Sequence, residues 1–189
     1  MKASTIEAIA SEYVQRLEFL GTDNPKLHIS FSAVPGSGKT TLARRLSKDL
    51  KAHYIQSDEV RRMLSAKHEE VNSDIVRTIT AKIIEYIFKE DTNQCIIIDA
   101  SIDRSWPTFY EFAAKCEAKT FIIRLDIPTA IVRQRLLERD GAINEEKMRN
   151  FRSDFDAGKQ NIPADIELGT DYNYGEILAV VKARLAALK

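Results

Sequence analysis

The segment Ala33–Thr40, AVPGSGKT, constrains this chain more than any other stretch. Gly36, Gly38, Lys39 and Thr40 satisfy the core of the phosphate-loop (Walker A) pattern, in which Gly and four residues precede Gly-Lys-Ser/Thr. Backbone N–H groups there must close around an anion while a following helix N-terminus adds partial positive charge, so the loop has to join a strand to a helix. The flanks agree. LHISFSA (Leu27 to Ala33) is a short apolar run, and TLARRLSKDL carries an apolar stripe through Leu42, Leu46 and Leu50. In such a loop Pro35, Gly36, Ser37, Gly38, Lys39, Thr40 and Thr41 line the phosphates, Lys39 reaches the β- and γ-phosphates, and the Thr40 hydroxyl binds Mg²⁺. The first position is Ala33 instead of Gly, whose methyl group narrows the backbone angles at the strand exit. A dinucleotide-binding turn would ask for G-x-G-x-x-G and gives no reason for Lys39-Thr40.

Strand and helix signals alternate through the rest of the chain. Ile6, Ile9, Ala10, Tyr13, Leu17 and Leu20 predict a leading amphipathic helix, stopped by Gly21 and Asn24-Pro25. After the loop, residues 53–55 predict a strand, Asp58 to Lys67 and Val71 to Glu90 two helices, and Cys95 to Ala100 an apolar strand with an acidic end. A helix through Phe109 to Cys116, a strand over Thr120 to Ile127 ended by Pro128, and an Arg-rich helix over 129–139 follow. Then come a helix over Glu145 to Phe155, a loop with Gly158 and Pro163, a strand at Asp165 to Leu168 and a final helix from Tyr174 to Leu188. This order implies an α/β fold with right-handed crossovers and a parallel sheet covered by helices on both faces. Residues 1–25 are expected to form the leading helix and a linker, and 26–189 one domain with an Arg-containing lid near 133–150.

With 189 residues, and 28 Lys plus Arg against 28 Asp plus Glu, the chain has an ordinary globular composition and no global charge for holding a polyanion. No stretch approaches the roughly 18 apolar residues that span a bilayer, so the expected location is the cytoplasm and no membrane partner is expected. The two cysteines, Cys95 in a strand-like run and Cys116 in a helix-like one, read as reduced core residues. A monomer and a homodimer both remain open.

A phosphate loop is shared by kinases, GTPases, transporter ATPases and motors. The chain has no Asn-Lys-x-Asp stretch for guanine recognition and lacks the length of most ATP-driven machines. Two constellations favour a kinase. In SDEVRRML, Asp58 and Arg61 lie one helical turn apart; the carboxylate can take or orient a hydroxyl proton while the guanidinium holds an anionic acceptor. The structural alternative is a helix N-cap by Asp58 with a solvated Arg61. In IVRQRLLERDG, Arg135 and Arg139 lie at i and i+4, suited to a lid over the γ-phosphate, or to an exposed charged face; Arg133 points elsewhere and is assigned to solvent. Between them, IIIDAS ends an apolar strand in Asp99, where parallel sheets bind ligands, so Asp99 can hold Mg²⁺ through water or orient Arg61. Ser101 and Arg104 are candidate acceptor contacts, explained equally by a cap and a solvated charge.

The strings AVPGSGKTTLARRL, SDEVRR, IIIDAS and LDIPTAIVRQRLLERD together resemble the P-loop kinases that include the phage-type polynucleotide 5′-kinase domain, the zeta toxins and the chloramphenicol phosphotransferases. The resemblance spans Lys26 to Phe155 and implies a three-layer P-loop NTPase fold with a five-stranded sheet ordered 2-3-1-4-5. It implies Asp58 as general base, Arg61 on the acceptor phosphate, Asp99 supporting the acceptor site, and Arg135 with Arg139 on the donor phosphates. The resulting expectation is an ATP- and Mg²⁺-dependent phosphotransferase acting on a hydroxyl of a small molecule, a nucleoside or nucleotide, or a nucleic-acid 5′ end. Balanced charge disfavours the last. The alternative is an ATP-binding regulatory module or slow ATPase whose leading helix docks a partner.

Overall fold

The structure, a computed structural model, describes residues 3–17, 23–91 and 93–189. Its elements are α1 (Ala3–Gln15), β1 (Leu27–Ala33), α2 (Lys39–Leu50), β2 (His53–Gln56), α3 (Ser57–Ala66), α4 (Ser73–Glu90) and β3 (Cys95–Ser101). They continue as α5 (Trp106–Lys115), β4 (Lys119–Leu125), α6 (Thr129–Asp140), α7 (Glu145–Asn161), β5 (Ile166–Leu168) and α8 (Tyr174–Ala186). The strands form one parallel sheet in the order β2-β3-β1-β4-β5, the expected P-loop NTPase topology. The expected end of the leading helix, Leu20 and Gly21, lies outside the described residues.

Strand alternation divides the core in two. Leu27, Ile29, Phe31 and Ala33 of β1, with Cys95, Ile97, Phe121, Ile123 and Leu125, pack against α2, α6, α7 and α8. On the other face Ile55, Ile96 and Ile98 meet Val60, Met63 and Leu64 of α3, the α4 stripe Val76-Ile79-Ile83-Ile84-Ile87, and Ile9, Ala10, Tyr13 and Val14 of α1. The apolar face of α1 is therefore covered by its own chain.

The alternate residues of β1 are His28, Ser30 and Ser32, all buried. His28 stacks between Phe88 (centroids 5.4 Å) and Phe112 (6.1 Å), and neither ring nitrogen has a hydrogen-bond partner among the described residues. Burial lowers its pKa to about 4, so the ring is neutral and serves as an aromatic filler. Cys95 is free and buried, its thiol pushed up to about 12 by desolvation; Cys116 is free at the end of α5.

Among the boundaries that differ from expectation, two bear on the site. α7 runs on to Asn161, so Gly158 lies in a helix and not in a loop. A Cβ at Gly158 would stand 2.7 Å from Asp103 Oδ1, so the missing side chain lets α7 pack directly on the loop after β3. α3 begins at Ser57 after the N-cap residue Gln56, which places Asp58 inside the first turn and not at the cap. Acidic residues there favour the helix dipole.

Candidate active site

Because β1, β3 and β2 are parallel neighbours, the turns that follow them open on the same carboxyl edge of the sheet. β1 delivers the phosphate loop, β2 delivers the first turn of α3, and β3 delivers Asp99. The β1–β3 register slips here: Ile29 pairs with Ile97 but Phe31 with Ser101, so two steps along β1 match four along β3. The irregularity brackets Asp99, as bulges beside functional sites often do.

In the loop, Gly36 (φ 84°) and Gly38 (φ 98°) adopt the left-handed conformation that L side chains resist, which turns successive N–H groups into a concave nest. A Cβ on Gly36 would also strike Leu136 of α6 at 2.9 Å. Ala33 needs no such freedom. Among the described residues the non-glycine positions with positive φ are Lys51, His68 and Glu117, and Ala33 is buried with its methyl group in the core. Its backbone N–H donates to Asp103 Oδ2 at 3.0 Å. The Ser37 hydroxyl is buried without a partner among the described residues, a polar atom of the kind a bound phosphate satisfies.

Asp99 is the hub. Lys39 Nζ and the Thr40 hydroxyl (3.2 Å) donate to Oδ1, and the Tyr54 hydroxyl donates to Oδ2 at 2.7 Å. Burial alone would raise the Asp99 pKa, but the adjoining Lys39 ammonium and these donors hold it below the usual carboxylate range. Tyr54 is pushed up by burial and by the Asp99 charge, so it stays a neutral donor. Among the described residues no three His, Cys, Asp or Glu side chains gather to cage a metal. The oxygen pair of Thr40 and Asp99 fits instead a Mg²⁺ that completes its shell with water and phosphate oxygens.

α6 flanks the phosphate loop. Arg135 Nη1 donates to the Ser37 carbonyl at 3.1 Å, bringing its guanidinium onto the loop. Arg139 instead pairs with neighbouring Asp140 at 2.6 Å, with the Asp58 charge adding a weaker pull that keeps it protonated. Arg133, assigned to solvent from sequence, forms a two-point pair with Glu145 (2.6 Å each), joining α6 to α7.

The α3 side is looser. The Asp58 side chain is 90% exposed and stands 3.8 Å from Arg61 Nε. Asp99 engages Lys39, Thr40 and Tyr54, with no bond to Arg61 among the described residues. Ser101 donates to Asp103, and Arg104 pairs with Asp154 at 3.2 Å while lying over the Phe151 ring. Arg104 thereby braces the loop after β3 against α7, while the Ser101 bond lies within the loop's own end of the strand.

Tyr54, Gln56, Ser32 and Asp103 were not singled out from sequence. Alternation in HYIQ does place Tyr54 and Gln56 on one face, but only the register Gln56 opposite Asp99 shows what that face meets. Asp103 accepts from Ser32 and Ala33 at the end of β1 and from nearby Ser101, and no local pattern announces its meeting with β1.

A family profile described as an AAA domain matches residues 33–161, more than half of the chain. The chain belongs to the AAA domain family. This AAA-family chain is also similar in structure to a gluconokinase from Sinorhizobium meliloti 1021, with TM-score 0.57, 12% identity, and coverage of 88% of this chain and 94% of that one. The APS kinase of Mycobacterium tuberculosis solved with AMPPNP and APS gives TM-score 0.60, 16% identity and coverage of 87% and 99%. Shikimate kinase from Acinetobacter baumannii, solved with shikimate, gives 0.58, 14%, and 86% and 96%. At these identities the shared property is the P-loop kinase fold. Among the described residues no helix is long and apolar enough to cross a membrane.

Proposed function

We propose that the chain is an ATP-dependent kinase that transfers the γ-phosphoryl group to a hydroxyl acceptor. The observation that carries this reading is the convergence on one sheet edge of the phosphate loop, the Asp99–Lys39–Thr40 cluster and the first turn of α3. The amides around Gly36–Thr40 and Lys39 hold the donor phosphates, and Arg135 adds positive charge from α6. Thr40 and Asp99 would hold Mg²⁺, which when bound neutralises charge on the β- and γ-phosphates. Asp58 accepts the acceptor proton as the hydroxyl oxygen bonds to the γ-phosphorus; the bond to the β–γ bridging oxygen breaks, and its electrons leave with ADP. Arg61 anchors the acceptor, and Arg139, released from Asp140, closes with the lid. The blocks that resemble those of polynucleotide 5′-kinases, zeta toxins and chloramphenicol phosphotransferases support the roles of Asp58, Arg61, Arg135 and Arg139.

The names of the structural relatives suggest gluconate, shikimate and APS as acceptors to try, and the sequence resemblance adds adenosine and a 5′-hydroxyl oligonucleotide to the panel. ADP release that rises with one member supports the kinase reading; release indifferent to all acceptors supports a slow ATPase. With the stimulating acceptor, Asp58→Asn is expected to lower kcat about 10²-fold or more while leaving AMPPNP binding unchanged. Full activity in that variant removes Asp58 as the base.

A further inference from the structure

α1 lies wholly outside the stretch matched by the family profile, which begins at residue 33. It nevertheless reaches the backbone that launches the acceptor helix. The buried Tyr13 hydroxyl accepts the Gln56 N–H at 2.9 Å, and Gln56 is the N-cap residue of α3. The Gln56 side chain in turn donates through Nε2 to the Tyr54 hydroxyl at 2.7 Å, and Tyr54 donates to Asp99. One hydrogen-bond chain therefore runs from α1, past the root of α3, to the carboxylate that holds Lys39 and Thr40.

The remaining contacts address α3 at both ends. Arg16 pairs with Glu59 in its first turn at 3.3 Å, and Glu12 pairs with Lys67 just beyond its last turn at 2.9 Å. Exposed ion pairs of this kind hold little energy by themselves. The buried face Ile9-Ala10-Tyr13-Val14, packed on Val60, Met63 and Leu64 of α3 and on α4, supplies the attachment, and the pairs set its register. A helix that merely covered apolar surface would have no use for a hydroxyl aimed at the Gln56 amide.

We propose that α1 is a built-in part of the acceptor side, with Tyr13 a positioning residue that, through Gln56, fixes the tilt of α3 and hence the place of Asp58 and Arg61. This rests on the acceptor roles given to Asp58 and Arg61 above. Displacement of a reacting group by about 1 Å is enough to matter in phosphoryl transfer, so a fixed root for α3 has a catalytic consequence. It also assigns the two sides different habits: α3 is held before the acceptor arrives, whereas the Arg139 end of α6 has to move.

The test is Tyr13→Phe in the full chain, which keeps the ring in the core and removes only the acceptor oxygen. Amide hydrogen exchange should rise about tenfold at Gln56 and over residues 57–64, while α2 residues 39–50 and AMPPNP affinity stay at wild-type values. With the stimulating acceptor of the panel, KM should rise severalfold against a smaller change in kcat. Unchanged exchange at Gln56 overturns the proposal, and so does a rise shared equally by α2 and α3, which would mark a general loss of packing. The exchange measurement needs no acceptor. If no acceptor of the panel raises ADP release while the Tyr13→Phe exchange is confined to the α3 root, the kinase assignment fails and the α1 brace stands; full activity in Asp58→Asn removes Asp58 as the base and leaves the brace of α3 standing.

Discussion

The phosphate-loop half of the site and the α3 half, the donor and acceptor sides in the proposed reaction, are built to different degrees. Around Lys39 the contacts are many and close: Asp99 takes three donors, Arg135 is tied to Ser37, and the Ala33 amide is held by Asp103. Asp58, nearly fully exposed, has among the described residues only the 3.8 Å approach of Arg61 as an ion pair. A nucleotide always presents the same phosphates, so its grip can be assembled in advance. In the proposed reaction the acceptor has to enter, and the groups assigned to its proton stay open to solvent until it does.

Lys39→Ala should give the largest effect, about 10³-fold or more in phosphotransfer together with loss of AMPPNP binding, read by titration and by single-turnover kinetics. Asp58→Asn follows, and it sharpens the contrast by leaving nucleotide binding intact. If it weakened AMPPNP binding as severely as Lys39→Ala, the two halves would not be separable. Asp99→Asn comes next: loss of its charge should weaken Mg²⁺-dependent AMPPNP binding about 10- to 100-fold, with little change in binding measured without Mg²⁺. Arg104→Ala is the smallest. Losing an exposed pair with Asp154 and a ring contact with Phe151 should cost about 1 kcal/mol or less in urea unfolding and leave nucleotide affinity unchanged. A larger loss of turnover would return Arg104 to the acceptor contacts.

The donor half was legible because it is local. Gly36, Gly38, Lys39 and Thr40 lie within five residues, and the strand and helix around them announce themselves by apolar spacing. Asp99 could be placed at a strand end from the run Cys95–Ile98 before it, but not matched to its partners: the sequence allowed Arg61, and the structure pairs it with Lys39 and Tyr54. Gly158 misled for a related reason. Glycine disfavours helix interiors, so a loop was the local expectation, and the close approach of α7 to Asp103 overrode it.

Sequence by itself determined the alternation of strands and helices, the phosphate loop and the set of charged residues available to it, since each depends on spacing along a few turns of chain. It left open how Ala33 could replace glycine, which partners Asp99 would take and where α1 would dock. Those were decided by the sheet order β2-β3-β1-β4-β5, which sets Gln56 opposite Asp99, and by packing that brings Tyr13 to Gln56 and Asp103 to Ala33. Hydrogen bonds between residues 43 and 70 positions apart exist only once the core has excluded water around them, and no local pattern encodes that.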